Sequence, residues 1–166
     1  METLDVVNAN DTVISQASQE EVYRKRLEHR IVHVLVFNAK HELALQLRSD
    51  SKSFCPGCWL TTDGGHVQAG ETYEQAALRE MREEIGIQTN LSLLGKDLYV
   101  VPSNKGLRKH LATFTAKHSG PFSCNPTEVA AVKFFNLAEV QRMVERGEKF
   151  HPELHFILTT YYCFAS

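Results

Sequence analysis

The sequence predicts an α+β fold in which helices pack in layers against a mixed β-sheet. Most of the apolar pattern is typical of strands, because runs such as RIVHVLVFN are rich in Val and Ile and LALQLRS alternates between apolar and polar residues. Only a few segments have helical periodicity. They do not alternate regularly with the strands, as a doubly wound parallel sheet would require. We therefore expect strands and helices in α/β/α layers.

The first third of the chain reads as a hairpin, a short helix and two strands. Two β-rich runs flank the turn residues 8–11, and Ser18 has the character of an N-cap for a helix over QEEVYRK. RIVHVLVFN then predicts a buried strand and LALQLRS a second one. A polar segment at 50–53 and the CPGCW turn lead into a short strand from Trp59 to Thr62.

The rest of the chain contains one strongly patterned helix and several further strands. Gly64-Gly65 predicts a loop, and the helix begins at Thr72 and ends before Gly86. Its buried stripe recurs every four residues, at Ala77, Met81 and Ile85. LSLLGKDLYVV and KHLATFTAK predict two strands joined by a mobile link, PSNKGLR. NPTEVAAVKFFN predicts a turn and a strand, LAEVQRMVERG a helix ended by Gly147, and PELHFILTTYYCF a closing helix.

Length and composition indicate one ordinary domain over residues 1–166, with residues 1–28 forming an N-terminal extension. The 166 residues are 43% hydrophobic, enough for a packed core. The formal net charge of −2 gives no basic field for a nucleic acid polymer. The chain has no apolar run of membrane-spanning length, and METLDVVNAND lacks the pattern of a secretory signal. We therefore expect a cytoplasmic protein.

The four cysteines are Cys55, Cys58, Cys124 and Cys163. CPGC has the spacing of a zinc half-site or a redox pair, but a structural zinc site needs a second pair of ligands, and Cys124 and Cys163 are far apart in sequence. A thioredoxin-like motif would begin a helix, whereas this segment leads into a strand. Reduced thiols in a turn are therefore the expected state.

The helix after Gly64 carries more carboxylates than its own stability would favour. Glu80 is three residues from Glu83 and four from Glu84, so like charges meet on one face and repel. Arg79 lies one turn before Glu83 and can pair with it. Clustered carboxylate oxygens are the ligands that Mg²⁺ or Mn²⁺ prefers. The spacing therefore predicts a divalent cation at this face, and the two glycines allow backbone to approach a metal or phosphate closely.

This pattern resembles the signature of the Nudix hydrolases, the Nudix box. From Gly65, five residues lead to Glu71 and seven more to Arg79-Glu80, and Met81, Arg82, Glu83, Glu84, Ile85, Gly86 and Ile87 follow. The resemblance covers residues 64–87 as a loop and helix and implies an α/β/α sandwich around a mixed sheet. It also implies hydrolysis of a diphosphate joined to another group, often a nucleoside. Homodimers are common in the family.

The family's roles transfer by position. Glu83 and Glu84 would be the main metal ligands, and Glu80 a further ligand or the base that deprotonates the attacking water. The Gly64 carbonyl would add a ligand, Arg79 would orient Glu83, and Glu71 would support the loop–helix junction. Glu128, in NPTEV, lies about where many members supply one more catalytic carboxylate; a surface charge beside a turn is the alternative. Mg²⁺ would neutralise the diphosphate and lower the pKa of the water.

A second resemblance, to isopentenyl-diphosphate isomerases, covers LDVVNAND through VFNAK and then RSDSK and PGCW. It implies diphosphate binding by Arg48 and Lys52, where a solvated surface pair is the alternative. It also places His29 and His66 where the isomerase has metal ligands. His66 would contact metal or substrate or would only cap the loop, whereas a structural, hydrogen-bonded role is favoured for His29.

The departures from the isomerase pattern favour a hydrolase. The isomerase nucleophile, a cysteine, falls at Gly64, and the acidic residues of a later strand are replaced by Leu107 and Lys109. Isomerases usually have an incomplete box, and non-catalytic Nudix modules a degraded one. HPELH suggests a metal pair at first sight, but it has no third ligand, so helix capping is the better interpretation. The substrate is expected to be a small diphosphate compound, with the isomerase and a nucleotide-binding module as the alternatives.

Overall fold

The computed structural model describes residues 2–104 and 106–164. Within them, nine strands belong to one mixed sheet, and four helices pack against it. Lys105, in the predicted link, lies outside the described residues. The elements in chain order are β1 Thr3–Val7, β2 Val13–Ser18, α1 Gln19–Lys25, β3 His29–Phe37, β4 Leu43–Arg48, β5 Trp59–Leu60, β6 Asp63–His66, α2 Tyr73–Glu84, β7 Leu91–Val100, β8 Arg108–Lys117, β9 Val129–Phe135, α3 Leu137–Glu145 and α4 Pro152–Tyr162.

Strand β3 is the centre of the sheet. It pairs antiparallel with β1, β4 and β6 and parallel with β8, which makes the sheet mixed. β2 pairs with β1, β7 with β8, and both β5 and β9 pair with β4. The predicted α+β architecture is therefore confirmed.

Alternation along β3 separates two apolar cores, because successive side chains of a strand point to opposite faces. Val32, Val34 and Val36 pack against α2 on one face, where the predicted stripe Ala77, Met81 and Ile85 is fully buried. Leu35 points to the other face and packs against α3 and α4. The sheet therefore has α2 on one side and α3 and α4 on the other.

The helix starts follow the predicted caps. The Ser18 hydroxyl accepts a hydrogen bond from the Glu21 N–H. Thr72 and Gln75 form a reciprocal capping box at α2, and α4 begins with His151 as the N-cap. The capping role predicted for HPELH is thus correct. No helix among the described residues has both the length and the hydropathy needed to cross a lipid bilayer.

Two predictions about the segment before α2 are wrong. Gly64 and Gly65 are not a loop, because they pair with His33 and Val32 as part of β6. Cys55 and Cys58 are not reduced thiols but form a disulfide. Cys55 and Gly57 both have positive φ, so the turn brings the two Cα atoms to 5.6 Å, within the span of a disulfide. Cys124 and Cys163 are free.

Candidate active site

The predicted site residues converge on one cleft of about 440 Å³ between α2, β6 and the end of β4. Every residue predicted to act in catalysis, substrate binding or metal binding, apart from Arg79, lines it: Arg48, Lys52, Gly64, His66, Glu80, Glu83, Glu84 and Glu128. Residues spread over about half of the chain therefore meet at one place. Their roles in the reaction stay predictions.

Arg79 lies behind the cleft and organises two carboxylates. Its guanidinium donates to both carboxylate oxygens of Glu71, at 2.8 and 2.9 Å, and to Glu80 Oε1 at 2.8 Å. It also donates to the His66 carbonyl at 3.0 Å, which ties α2 to β6. The predicted contact with Glu83 is the weakest, at 3.5 Å. Arg79 therefore positions Glu71 and Glu80 more firmly than Glu83.

Glu80 is buried against β6, where Gly65 makes room for it. A Cβ atom on Gly65 would lie 2.3 Å from Glu80 Oε1, so any larger residue would displace the carboxylate. Burial raises the pKa of Glu80 to about 7, although the Arg79 guanidinium opposes the shift. Without a cation, this carboxyl group would exchange its proton near neutral pH, a property suited to a general base.

Glu84 lies deeper in the cleft, next to a carboxylate that sequence reasoning missed. Its Oε2 accepts a hydrogen bond from Gln46 Nε2 at 3.1 Å, and burial raises its pKa. Beside it, Asp63 is fully buried, and neither of its carboxylate oxygens has a hydrogen-bond partner among the described residues. Asp63 and Gly65 lie on the same face of β6, toward α2. The only signal in the sequence was an acidic residue at the end of an otherwise uncharged run.

The cationic side of the cleft carries Arg48 and Lys52. Lys52 forms an ion pair with Glu128, and Arg48 donates to the Phe54 carbonyl at 2.9 Å. Glu128 immediately precedes β9, as predicted. Glu83 is the most exposed carboxylate of the cleft, with 56% of its side chain accessible. The cleft therefore has exposed carboxylate on one side and lysine and arginine on the other.

The side chains of the cleft have the chemical types that suit a hard divalent cation. As they stand, no three His, Cys, Asp or Glu side chains of residues 2–104 and 106–164 are close enough together to hold a metal ion. Glu80, Glu84 and Glu128 instead contact Arg79, Gln46 and Lys52. Oxygen donors from Glu83, Glu84, Glu80 and the Gly64 backbone suit Mg²⁺ or Mn²⁺. The unpartnered oxygens of Asp63 add two buried oxygen acceptors beside these carboxylates.

A second cavity of about 550 Å³ adjoins the cleft and shares Arg48, Gly64, Gly65 and His66 with it. The His66 ring hydrogen-bonds to the Tyr23 hydroxyl at 2.9 Å and stacks on His29 at 5.7 Å between ring centroids. Burial lowers the pKa of both histidines, to about 3 for His66 and about 4 for His29, so both rings are neutral at pH 7.

His29 has the structural character predicted for it. It is fully buried, and its Nδ1 lies 2.9 Å from the Leu27 carbonyl. His66 both contacts its protein neighbours and faces the two cavities, so contact with substrate stays a prediction.

Lys109 lies nearby, with its ammonium 5.5 Å from the centre of the Tyr23 ring. Lys109 lies at a place on this strand where the isomerase resemblance implies acidic metal ligands, and its charge has the opposite sign.

Comparison with known proteins supplies the family. A model described as the NUDIX domain matches residues 27–155, which leaves the N-terminal hairpin and the whole of α1 outside the match. An uncharacterized Nudix hydrolase, YfcD, of Escherichia coli strain K12 is 32% identical over 152 residues, covering 92% of this chain and 82% of that protein. Isopentenyl-diphosphate Delta-isomerase 2 of Photorhabdus laumondii is 28% identical over 148 residues, covering 88% of this chain and 84% of that protein.

Solved structures share the fold. The crystal structure of DR0079 from Deinococcus radiodurans superposes with a TM-score of 0.84 at 26% identity and covers 97% of this chain and 99% of that chain. The MutT NUDIX hydrolase of Burkholderia pseudomallei has a TM-score of 0.64 at 22% identity, covering 79% of this chain and 95% of that chain. The first match extends over the N-terminal hairpin as well.

Proposed function

Because the chain belongs to the Nudix hydrolase family, we propose that it is a divalent-cation-dependent diphosphohydrolase acting on a nucleoside diphosphate-type substrate. The observation that carries the proposal is the convergence of three carboxylates of the box, Glu80, Glu83 and Glu84, with Gly64 and Glu128 on one cleft whose opposite side holds Arg48 and Lys52. Carboxylates suit a cation, and the basic pair suits a diphosphate. We expect a small-molecule substrate, a cytoplasmic location and, as a compatible assembly, a homodimer.

In this proposal the side chains have separate tasks. Glu83, Glu84 and the Gly64 carbonyl would hold Mg²⁺ or Mn²⁺, with Glu80 as a further ligand or the base. Arg48 and Lys52 would orient the diphosphate. To do so, Lys52 would break its ion pair with Glu128. Arg79 keeps Glu80 directed toward the cleft. The bound cation would neutralise phosphate charge and acidify the attacking water. Water would attack phosphorus, and the bond to the bridging oxygen would break.

The isomerase alternative has one observation in its favour and two against it. The Photorhabdus relative is an isomerase by name and 28% identical. However, a Cβ at position 64 would lie 2.8 Å from the Val32 carbonyl oxygen and 2.9 Å from His33 Nδ1, so this backbone does not accept the isomerase cysteine. Lys109 also places an ammonium beside His29 and His66.

A nucleotide-binding module without turnover is disfavoured by the complete box.

A product assay tests the proposal. The protein would be incubated with Mg²⁺ or Mn²⁺ and a panel of nucleoside diphosphates, nucleotide sugars, dinucleotides and isopentenyl diphosphate, and the products separated by chromatography. We expect metal-dependent cleavage between phosphates. Conversion of isopentenyl diphosphate to its isomer would establish the alternative, and nucleotide binding without any product would establish the module.

Glu83→Gln should lower kcat about a hundredfold or more, because one group that stabilises charge in the transition state would be lost. Glu83 is exposed, so the free energy of unfolding should change little. Glu74→Gln is the matched control, since Glu74 is an exposed glutamate in the first turn of the same helix. Equal activity of the two variants would contradict the assigned role.

A further inference from the structure

The 550 Å³ cavity is the place where a group attached to the diphosphate would extend. It opens from the carboxylate cleft across Gly64 and Gly65, which line both. Its volume lies in the range that accommodates a small organic ligand. Ile31, Leu60 and Leu107 contribute apolar walls. The cavity is therefore large enough for a flat ring, and its apolar side chains can contact the faces of that ring.

The floor of this cavity is an ion pair assembled from three distant parts of the chain. Lys109 of β8 donates to Glu153 Oε1 of α4 at 2.7 Å, and His33 Nε2 of β3 lies 2.9 Å from Glu153 Oε2. The three residues are 9%, 5% and 5% exposed. Burial opposes both charges, but their attraction raises the pKa of Lys109 and, together with His33, lowers that of Glu153.

Fold stability alone does not account for a buried ion pair at this place. Buried ion pairs can often be replaced by apolar residues of similar size without loss of stability, because removing two charges from water costs more than their attraction returns. Helix α4 is already fixed to the sheet by Leu154, Ile157 and Leu158, which are fully or almost fully buried. The pair lines a cavity rather than filling a core, so a ligand is the partner that would use it.

We propose that Lys109 and Glu153 are specificity-determining residues that bind the organic group of the substrate. An ammonium donor beside a carboxylate acceptor complements an uncharged ring that has an acceptor and a donor on adjacent atoms, as nucleobases do. An alkenyl chain would place apolar surface against both charges and could form no hydrogen bond with either, so the floor disfavours it. This inference rests on the proposed diphosphohydrolase function and assigns the selection of substrate to named residues.

The test compares substrates with and without the ring. For wild type and for the double variant Lys109→Met/Glu153→Leu, kcat/KM is measured with each ribonucleoside diphosphate and with ribose 5-diphosphate, which has no base to reach the floor. The double variant removes both charges of the ion pair together and leaves only the His33 ring without its Glu153 partner, so the fold should survive. We expect the nucleoside-to-ribose ratio to fall about tenfold or more, as loss of a hydrogen bond to a charged group predicts. A merely structural role would lower both values and leave the ratio unchanged.

The matched control is Arg108→Met/Glu28→Gln, which removes an ion pair between the first residue of β8 and the residue before β3, neither of which lines the cavity. Its ratio should equal that of wild type. If the Lys109/Glu153 double variant does not fold, as judged by circular dichroism, Glu153→Gln is measured in its place, with the same expectation. An unchanged ratio in the measured variant, or a wild-type preference for isopentenyl diphosphate, would overturn the proposal.

Failure of the proposed hydrolysis is distinguished by binding. If wild type cleaves none of the diphosphates, the affinities of uridine and adenosine monophosphates and of isopentenyl phosphate are measured by calorimetry without turnover. Nucleoside monophosphate binding that weakens about tenfold or more in the double variant would support the role of the floor. Equal affinities in wild type and variant, or no nucleotide binding to wild type, would overturn it.

Discussion

Asp63 is the residue whose environment is hardest to reconcile with stability alone. Its carboxyl group is fully buried without a hydrogen-bond partner among the described residues, a situation that costs about 1–3 kcal/mol for a polar group and more for a charge. Burial, followed by the charges of Glu84 and Glu80, raises its pKa. A cation bound in the cleft would offset this repulsion.

Asp63→Asn should therefore separate stability from cation binding. In EDTA at pH 8 the free energy of unfolding of the variant should exceed that of wild type by about 1–3 kcal/mol, so its melting temperature should be higher, since the buried, unpartnered carboxyl group is gone. The gain should shrink as pH falls toward the ordinary pKa of an aspartate, because a carboxyl group whose folded pKa is raised destabilises the fold increasingly as pH rises above its unfolded pKa. Added Mn²⁺ should raise the melting temperature less than in wild type.

Thermal denaturation with EDTA and with a series of Mn²⁺ concentrations measures both effects on Asp63→Asn. Glu74→Gln, an exposed carboxylate on the neighbouring helix α2, serves as the control and should match wild type in each condition. A variant that is less stable in EDTA and gains as much from Mn²⁺ as wild type would show that Asp63 has an ordinary structural role.

At the scale of single elements, the cap of α4 couples helix geometry to protonation. The His151 Nδ1 accepts from the Glu153 N–H at 3.3 Å, so His151 both starts the helix and positions the residue that forms the cavity floor. Burial lowers the pKa of His151 to about 4. Since an unfolded histidine titrates near 6.5, the unfolded state binds more protons between pH 4 and 6.5. Stability from this group is present above pH 6.5 and is lost as pH falls.

His151→Asn should flatten that part of the pH profile while keeping the cap. Asparagine is a good N-cap and does not titrate, so the helix start is preserved. Between pH 6.5 and 4 the variant should lose up to about 3 kcal/mol less unfolding free energy than wild type. Urea unfolding at several pH values measures this difference. Parallel profiles for the two proteins would assign the acid sensitivity to other groups.

The same scale shows what the sequence could and could not predict. The helix α2 was predictable to its cap, because Thr72, its apolar stripe and Gly86 are local signals. The strand at Gly64-Gly65 was not, because its partners are Val32 and His33 and glycine has low strand propensity. The disulfide was missed because it depends on a turn with two positive φ values, and compartment-based reasoning favoured thiols.

At the scale of the whole molecule, the box could be predicted and the cavity floor could not. The carboxylates of the box are fixed by spacing along one helix, which the sequence displays directly. His33, Lys109 and Glu153 meet only because β3 and β8 are parallel neighbours and α4 packs back over their ends. Such contacts between distant segments leave no periodic signal. The proposed role of the floor in substrate selection could therefore be inferred only from the structure and not from the sequence.

The N-terminal hairpin, which lies outside the family match, is joined to the rest of the fold by the pairing of β1 with β3 and by a network of side chains around Asp11. Asp11 lies in the hairpin turn and accepts from Arg30 Nε of β3 at 2.6 Å and from the Tyr73 hydroxyl of α2 at 2.9 Å. The Lys96 ammonium of β7 lies 4.3 Å from the centre of the Tyr73 ring. One carboxylate thus connects the hairpin with α2 and two strands. We propose that the chain folds as a single domain through this connection.

Asp11→Asn tests that proposal, because it removes the charge but tolerates the positive φ of 59° at this position. We expect the free energy of unfolding to fall by about 1.5–3 kcal/mol, the worth of hydrogen bonds to a charged group. Urea transitions followed by far-ultraviolet circular dichroism and by fluorescence of the single tryptophan, Trp59, should remain coincident in variant and wild type. Trp59 packs on the opposite face of the sheet, against Phe135, and therefore reports on a core that the network does not touch. A dichroism transition that precedes the fluorescence transition would show the hairpin unfolding as a separate unit.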